Sequence, residues 1–263
     1  MAIAAIVVAI LSGRIFDSST NESTTGPGTT SGVTTTTAPA ATTAAPGTTS
    51  APPATTTGPP AATTSPAGRT VRVYLVEDGK LAAEPRTVPA GTGVGTAALQ
   101  ALLDGKDFTL EIAGGTATVT GAGSLDHAAQ AEVVATLTQF PSVQRVVIDG
   151  SRPLTRLDIE DVTPQILVET PLPGDRVASP LRVAGTANVF EASFIVEVLD
   201  RDGNRLSQKV VTATSGTGTR GTFDVEIGFD TADEQAGTLY AYEPSAQDGS
   251  PIHQVRVPLT LLP

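Results

Sequence analysis

The sequence predicts an α+β protein: a two-layer α+β sandwich followed by an all-β sandwich, behind a disordered Thr/Pro-rich N-terminal stalk. Three observations predict it. Residues 17–68 are almost entirely Thr, Ala, Pro, Gly and Ser. Residues 69–162 mix strand-like and helix-like apolar patterns. Residues 163–263 run through short alternating segments broken by turn residues.

The stalk comes first in the argument because it bounds everything else. A segment so poor in apolar surface cannot offset its chain entropy, so 17–68 is expected to stay disordered. Its Thr runs, such as Thr34–Thr37 and Thr55–Thr57, are spaced by proline in the manner of a mucin-like spacer. Proline stiffens such a chain toward polyproline II, which holds a domain away from a surface. Residues 1–16 precede it. The run Ala2–Leu11 is apolar throughout but too short to span a bilayer, which takes about 20 residues. A secretory signal carries basic residues before its apolar run, and here only Met1 precedes it. The run is therefore read as the tail of a signal or membrane anchor whose front is missing.

Charge and cysteine content exclude several classes. The net charge is −11, which argues against nucleic acid and against docking on an anionic membrane surface through a basic patch. The chain has no cysteine, so disulfides, thiolate metal sites, a cysteine nucleophile and a lipidated cysteine are all ruled out.

In region 69–162, "TVRVYLVEDG" alternates Val71, Val73 and Leu75 against Arg72 and Tyr74, and Asp78-Gly79 is a turn signal. "KLAAEPRTVP" reads as a return strand that Pro85 confines to an edge. "TAALQALLDG" reads as a short helix with Ala98, Leu99, Leu102 and Leu103 inward, capped by Thr92 or Thr96. "FTLEIAGGTATVT" is a hairpin across Gly114-Gly115. Then Leu125, Ala129, Val133, Leu137 and Phe140 recur at helical spacing, with Ser124 as cap and Pro141 as stop. "VQRVVID" closes the region as a strand. The order β-(β)-α-β-β-α-β is a two-layer α+β sandwich related to the split βαβ arrangement.

These segments, above all "VVATLTQFPSVQRVVIDG", resemble the bacterial sporulation and spore-germination (GerMN) domain. The connection "LDGKDFTLEI" is shorter than that family's pattern. The resemblance implies a module like those that build rings in cell-envelope assemblies, with no catalytic residues to carry over.

In region 163–263 we expect seven strands, near 166–169, 181–187, 193–199, 205–213, 222–229, 237–242 and 253–261. Phe223, Val225, Ile227 and Phe229 alternate with Asp224, Glu226 and Gly228, and Val255, Val257, Leu259 and Leu261 repeat the pattern. That succession argues an immunoglobulin-like β-sandwich. "SPLRVAGTANVFEASFIVEVLDRDGNRL", and within it "AGTANVFEA", resembles the immunoglobulin-like domain that accompanies germination modules in bacterial envelope proteins.

Candidate chemistry is sparse. The two histidines, His127 at a helix start and His253 at a strand start, fall in different domains with no partner at ligand spacing. Asp200–Asn204, "DRDGN", resembles a calcium loop but more simply makes a hairpin turn at Asp202-Gly203. Asp158, Glu160 and Asp161 read as solvated linker. Tyr240 and Tyr242 share one face of a strand; inward they are core, outward a small stacking platform, and core is the favoured reading. Gly93-Val94-Gly95-Thr96-Ala97-Ala98 nearly matches a dinucleotide fingerprint, but no buried strand leads directly into it and a Gly-Gly hairpin follows the helix.

The expectation is a non-catalytic, extracytoplasmic envelope protein anchored at the cell surface through its N-terminus. It has no catalytic, metal or cofactor residues and takes no nucleic acid. Its partners are other envelope proteins, with cell-wall glycan or peptidoglycan as the alternative.

Overall fold

The computed structural model describes residues 68–263; the expectations for the apolar run 1–16 and for the stalk up to residue 67 lie outside the described residues. Mostly strands, with two α-helices, make up this part.

The first domain follows the predicted order: β1 (Arg69–Glu77), β2 (Lys80–Val88), α1 (Val94–Leu102), β3 (Thr109–Ala113), β4 (Thr116–Thr120), α2 (His127–Thr138) and β5 (Arg145–Ile148). Asp78 and Gly79 both take positive φ, as a two-residue hairpin of matching twist requires. Pro85 sits in β2 opposite Arg72, in a ribbon that is only two strands wide. The caps differ from expectation. Asp126, not Ser124, caps α2, its carboxylate accepting from the Ala129 N–H at 2.9 Å. Gly93 precedes α1 with no side-chain cap from Thr92 or Thr96.

One feature departs from a split βαβ sheet. The β1–β2 ribbon and the β3–β4–β5 sheet do not join. The edge of β1 that a neighbouring strand would take is occupied by side chains of α2. Tyr74 N–H donates to Thr136 Oγ1 at 3.0 Å and Val76 N–H to Glu132 Oε1 at 2.8 Å, while Gln139 Nε2 donates to the Arg72 carbonyl at 3.0 Å. Residues 132, 136 and 139 stand on one helix face, and alternate residues of β1 present their backbone groups to it. A row of polar side chains thus replaces a strand ladder, which explains why Thr136 is fully buried. Thr136→Val should leave the Tyr74 N–H unsatisfied and cost about 1–3 kcal/mol in urea unfolding, whereas Thr136→Ser should recover most of it.

Both faces of the ribbon are covered. Val71, Val73 and Val88 pack on Ala97 and Ala98 of α1. Tyr74, Leu81 and Ala83 face the main core with Val133 and Leu137 of α2.

The second domain contains β6 (Ile166–Thr170), β7 (Arg176–Val177), β8 (Leu181–Ala187), β9 (Ser193–Leu199), β10 (Arg205–Thr212), β11 (Gly221–Ile227), β12 (Gln235–Pro244) and β13 (Pro251–Leu261). All seven expected strands are present. The unexpected one, β7, is two residues long and too short to show an alternation. The strands form two sheets, β11–β8–β6 and β10–β9–β12–β13–β7. Their inner faces bury Val183, Val196, Val198, Leu239, Ala241 and Leu259. Phe194 and Phe223 meet edge to face across the core with centroids 4.9 Å apart.

Candidate binding surfaces

Charged side chains converge where residues 69–162 meet residues 163–263 within one compact unit. Arg220, just before β11, wraps the Glu160 carboxylate with Nε to Oε2 at 2.9 Å and Nη2 to Oε1 at 2.9 Å. The same guanidinium donates to the Pro164 carbonyl at 2.8 Å and to Thr186 Oγ1 at 3.3 Å. Asn188 Nδ2 donates to Glu160 Oε1 at 3.0 Å. Burial alone would raise the Glu160 carboxyl; the hydrogen bonds from Arg220 and Asn188 outweigh it and hold the group below the ordinary carboxylate range.

A second cluster lies beside it. The Tyr74 hydroxyl donates to Glu169 Oε1 at 2.5 Å, and Arg72 Nη1 donates to the Glu169 carbonyl at 2.6 Å. Arg156 stands 3.6 Å from the same carboxylate and 5.0 Å from the Tyr74 ring centroid, and donates to Thr138 Oγ1 at 2.7 Å. Burial first, and the Glu169 charge second, push the Tyr74 hydroxyl far above the usual phenol range, so it remains a donor. Between the clusters lies a cleft of about 350 Å³ lined by Thr138, Arg156, Glu160, Glu169, Arg220 and Thr222. Its charges are committed to one another, which makes the junction a clamp.

The sequence candidates distribute as follows. Glu160 is a member of the clamp, not solvated linker. Asp158 lies inside a short 3₁₀ turn, Arg156–Ile159, whose N-cap is Thr155: hydrogen bonds from Arg152 and Thr155 hold its carboxyl down at about 2. Asp161 lies 2.9 Å from His127 Nε2 on an exposed surface. Glu160 departs from the linker reading because Asn188 and Arg220, distant in sequence, reach back to it, whereas Asp158 is held by near neighbours and Asp161 is solvent-exposed. In Asp200–Asn204 the Asp200 carboxylate accepts from the Asp202 and Asn204 N–H groups at 2.9 and 2.7 Å, and closes the β9–β10 turn. His253 is the third residue of β13, at positive φ, with Nδ1 2.7 Å from Glu243 Oε2. The two histidines remain in separate domains. Among the described residues no group of three metal-ligating side chains forms.

Tyr240 and Tyr242 require a correction. Their neighbours Leu239 and Ala241 fill the core, so alternation turns both tyrosines to the outer face of the five-stranded sheet. The rings lie 4.8 Å apart. Arg256 covers the Tyr240 ring at 4.0 Å, and the Tyr240 hydroxyl donates to Gln254 at 2.8 Å. Tyr242 donates to Glu197 at 3.2 Å, and Glu197 also meets Arg205 at 3.1 Å. Tyr240 is therefore only 7% exposed although it lies outside the core.

Residues 165–250 match the family model of the immunoglobulin-like domain of bacterial spore germination. The match starts at the beginning of β6 and runs to the β12–β13 turn, within the second domain. Among solved structures, CopC from Methylosinus trichosporium OB3b is similar at 14% identity, over 36% of this chain and 88% of that one, with a TM-score of 0.23. No curated protein matches.

Proposed function

We propose that this chain is a non-catalytic, extracytoplasmic envelope protein that binds partner proteins through two domains held in fixed relation. The observation that carries this reading is the match of residues 165–250 to the immunoglobulin-like domain of bacterial spore germination. The element order of residues 69–162 and its resemblance to the GerMN domain support the same assignment for the first domain. The clamp adds a physical reason: a protein-binding scaffold gains from domains that do not reorient, because less ordering entropy is lost on association. The apolar run within residues 1–16 would tether it to the membrane, and the net charge of −11 disfavours nucleic acid.

The test is affinity capture from solubilised envelope fractions with the full chain as bait. A defined set of envelope proteins should be retained and survive moderate salt. Measurable turnover by the isolated chain, or no retained protein, would overturn the reading.

The second reading is a glycan- or peptidoglycan-binding module, favoured by the outward position of Tyr240 and Tyr242. Arg256 shields the nearer ring, so a sugar would have to displace it. Co-sedimentation with purified cell wall separates the two. A protein scaffold should stay in the supernatant, and a wall binder should pellet and lose retention on Tyr242→Ala.

A further inference from the structure

Three strand edges converge along one flank of the sandwich. β13 pairs with β12 on one side, but on the other only Thr260 and Leu261 pair, with β7. On that outer side the Thr260 N–H donates to the Asp175 carbonyl at 2.9 Å, and the Pro258 carbonyl accepts from the Gly174 N–H at 2.8 Å. Alternate residues of a strand send their backbone groups to the same edge, so Arg256 points its N–H and C=O the same way. There the edge has run past β7 and, among the described residues, meets no strand. Among the described residues β6 pairs with β8 alone and β2 with β1 alone, though the Leu81 N–H of β2 already donates to the Val162 carbonyl at 2.8 Å. The groove these edges enclose, about 580 Å³, is floored on its accessible apolar surface by Ala82, Pro164, Pro173, Val255 and Pro258.

Open edges are normally blunted by charge. Here the two cations at the groove are turned away: Lys80 Nζ donates to the Asp161 carbonyl at 2.7 Å, and Arg256 lies on the Tyr240 ring. The acidic groups of the same wall are unspent. Glu77 and Asp78 have no ion-pair partner among the described residues, and Glu84 has only Arg86 at 3.9 Å.

We infer that this groove takes an extended segment of a partner protein, added as a strand to the β13 edge. Basic side chains of that segment face Glu77, Asp78 and Glu84. The unpaired backbone groups specify an extended main chain, the apolar floor takes alternate side chains, and the acidic wall sets the charge. A second copy of a chain carrying −11 fits that wall poorly. The inference rests on the protein-binding reading above and deepens it.

The probe is a short capped peptide alternating valine and lysine, titrated into the full chain by calorimetry and followed by backbone amide shifts. Saturable binding with shifts in β13, β2 and β6 is expected. N-methylation at alternate residues, which blocks strand pairing while keeping every side chain, should weaken binding by at least about tenfold. Replacing lysine by glutamate should weaken it comparably, and the double variant Glu77→Lys, Glu84→Lys should reverse that preference. Arg256→Pro removes the outward N–H while sparing the β12 ladder, and should reduce binding like the N-methylated peptide. No saturable binding, equal binding of the N-methylated peptide, or shifts confined to other surfaces would overturn the groove. Envelope capture that persists unchanged in Arg256→Pro would overturn it while leaving the protein-binding reading standing.

Discussion

Gly185→Ala should unfold or severely destabilise the second domain, by at least about 3 kcal/mol. Gly185 lies in the middle of β8, between β6 and β11. A Cβ there would fall inside the van der Waals envelope of the Leu167 carbonyl oxygen and 2.9 Å from Phe223 Cζ. A flexible side-chain tip could yield to such a methyl. A backbone carbonyl in a strand ladder cannot, so β6 would have to separate from β8. Because the Phe223 ring packs edge to face on Phe194, the disturbance would reach the core contact between the sheets. Gly228→Ala is the control: its nearest neighbour would be Ser179 Oγ at 3.9 Å, and its φ is ordinary. It should change stability by less than about 0.5 kcal/mol. Urea unfolding followed by far-ultraviolet circular dichroism compares them, and equal midpoints would overturn the close-approach argument.

Arg220→Ala is the second large expected effect, a loss of about 2–3 kcal/mol. The guanidinium side chain is 13% exposed, and its removal strands the Glu160 carboxylate with only Asn188. A fully buried pair broken in this way costs more, but Glu160 keeps 34% of its exposure and some solvation. Arg220→Lys should fail to restore the loss, because an ammonium cannot span Glu160, Pro164 and Thr186 together. The pH dependence follows from the sign of the shift. Glu160 is held below its unfolded value, so its contribution is complete above the ordinary carboxylate range. It is lost as pH falls through the depressed folded value. The stability difference between the native chain and Glu160→Gln should be flat from neutral pH to about pH 5, then shrink on further acidification. A difference that grows with acid would contradict the clamp.

The elements were legible because their signals are local. Asp78-Gly79 and Gly114-Gly115 announce their hairpins in two residues each, and the alternation from Phe223 to Phe229 declares a half-buried strand. What stayed hidden depends on residues far apart in sequence. Glu160 reads as linker until Arg220, sixty positions away, closes on it. Tyr74 reads as the outer side of an amphipathic strand, yet it is fully buried because Glu169 and Arg156 complete a second layer over it. Tyr240 and Tyr242 sit two apart, which fixes that they share a face but not which one. A β12 strand with small and large apolar residues on both faces carries no local sign of the inward direction. Likewise the polar row Glu132, Thr136 and Gln139 looks like a solvated helix face until it meets the edge of β1.

Composition and period therefore determined the order of elements, the course of all seven expected strands and the exclusion of thiol chemistry. Each of these depends on residue types within a few positions of one another. The partition of β1 from the β3–β4–β5 sheet, the clamp between the domains and the unpaired β13 edge became visible only in three dimensions. Each depends on which surfaces meet, and one chain's hydrophobic pattern is compatible with several such meetings. Free strand edges in particular leave no mark on a sequence, since the backbone that makes them is the same at every residue.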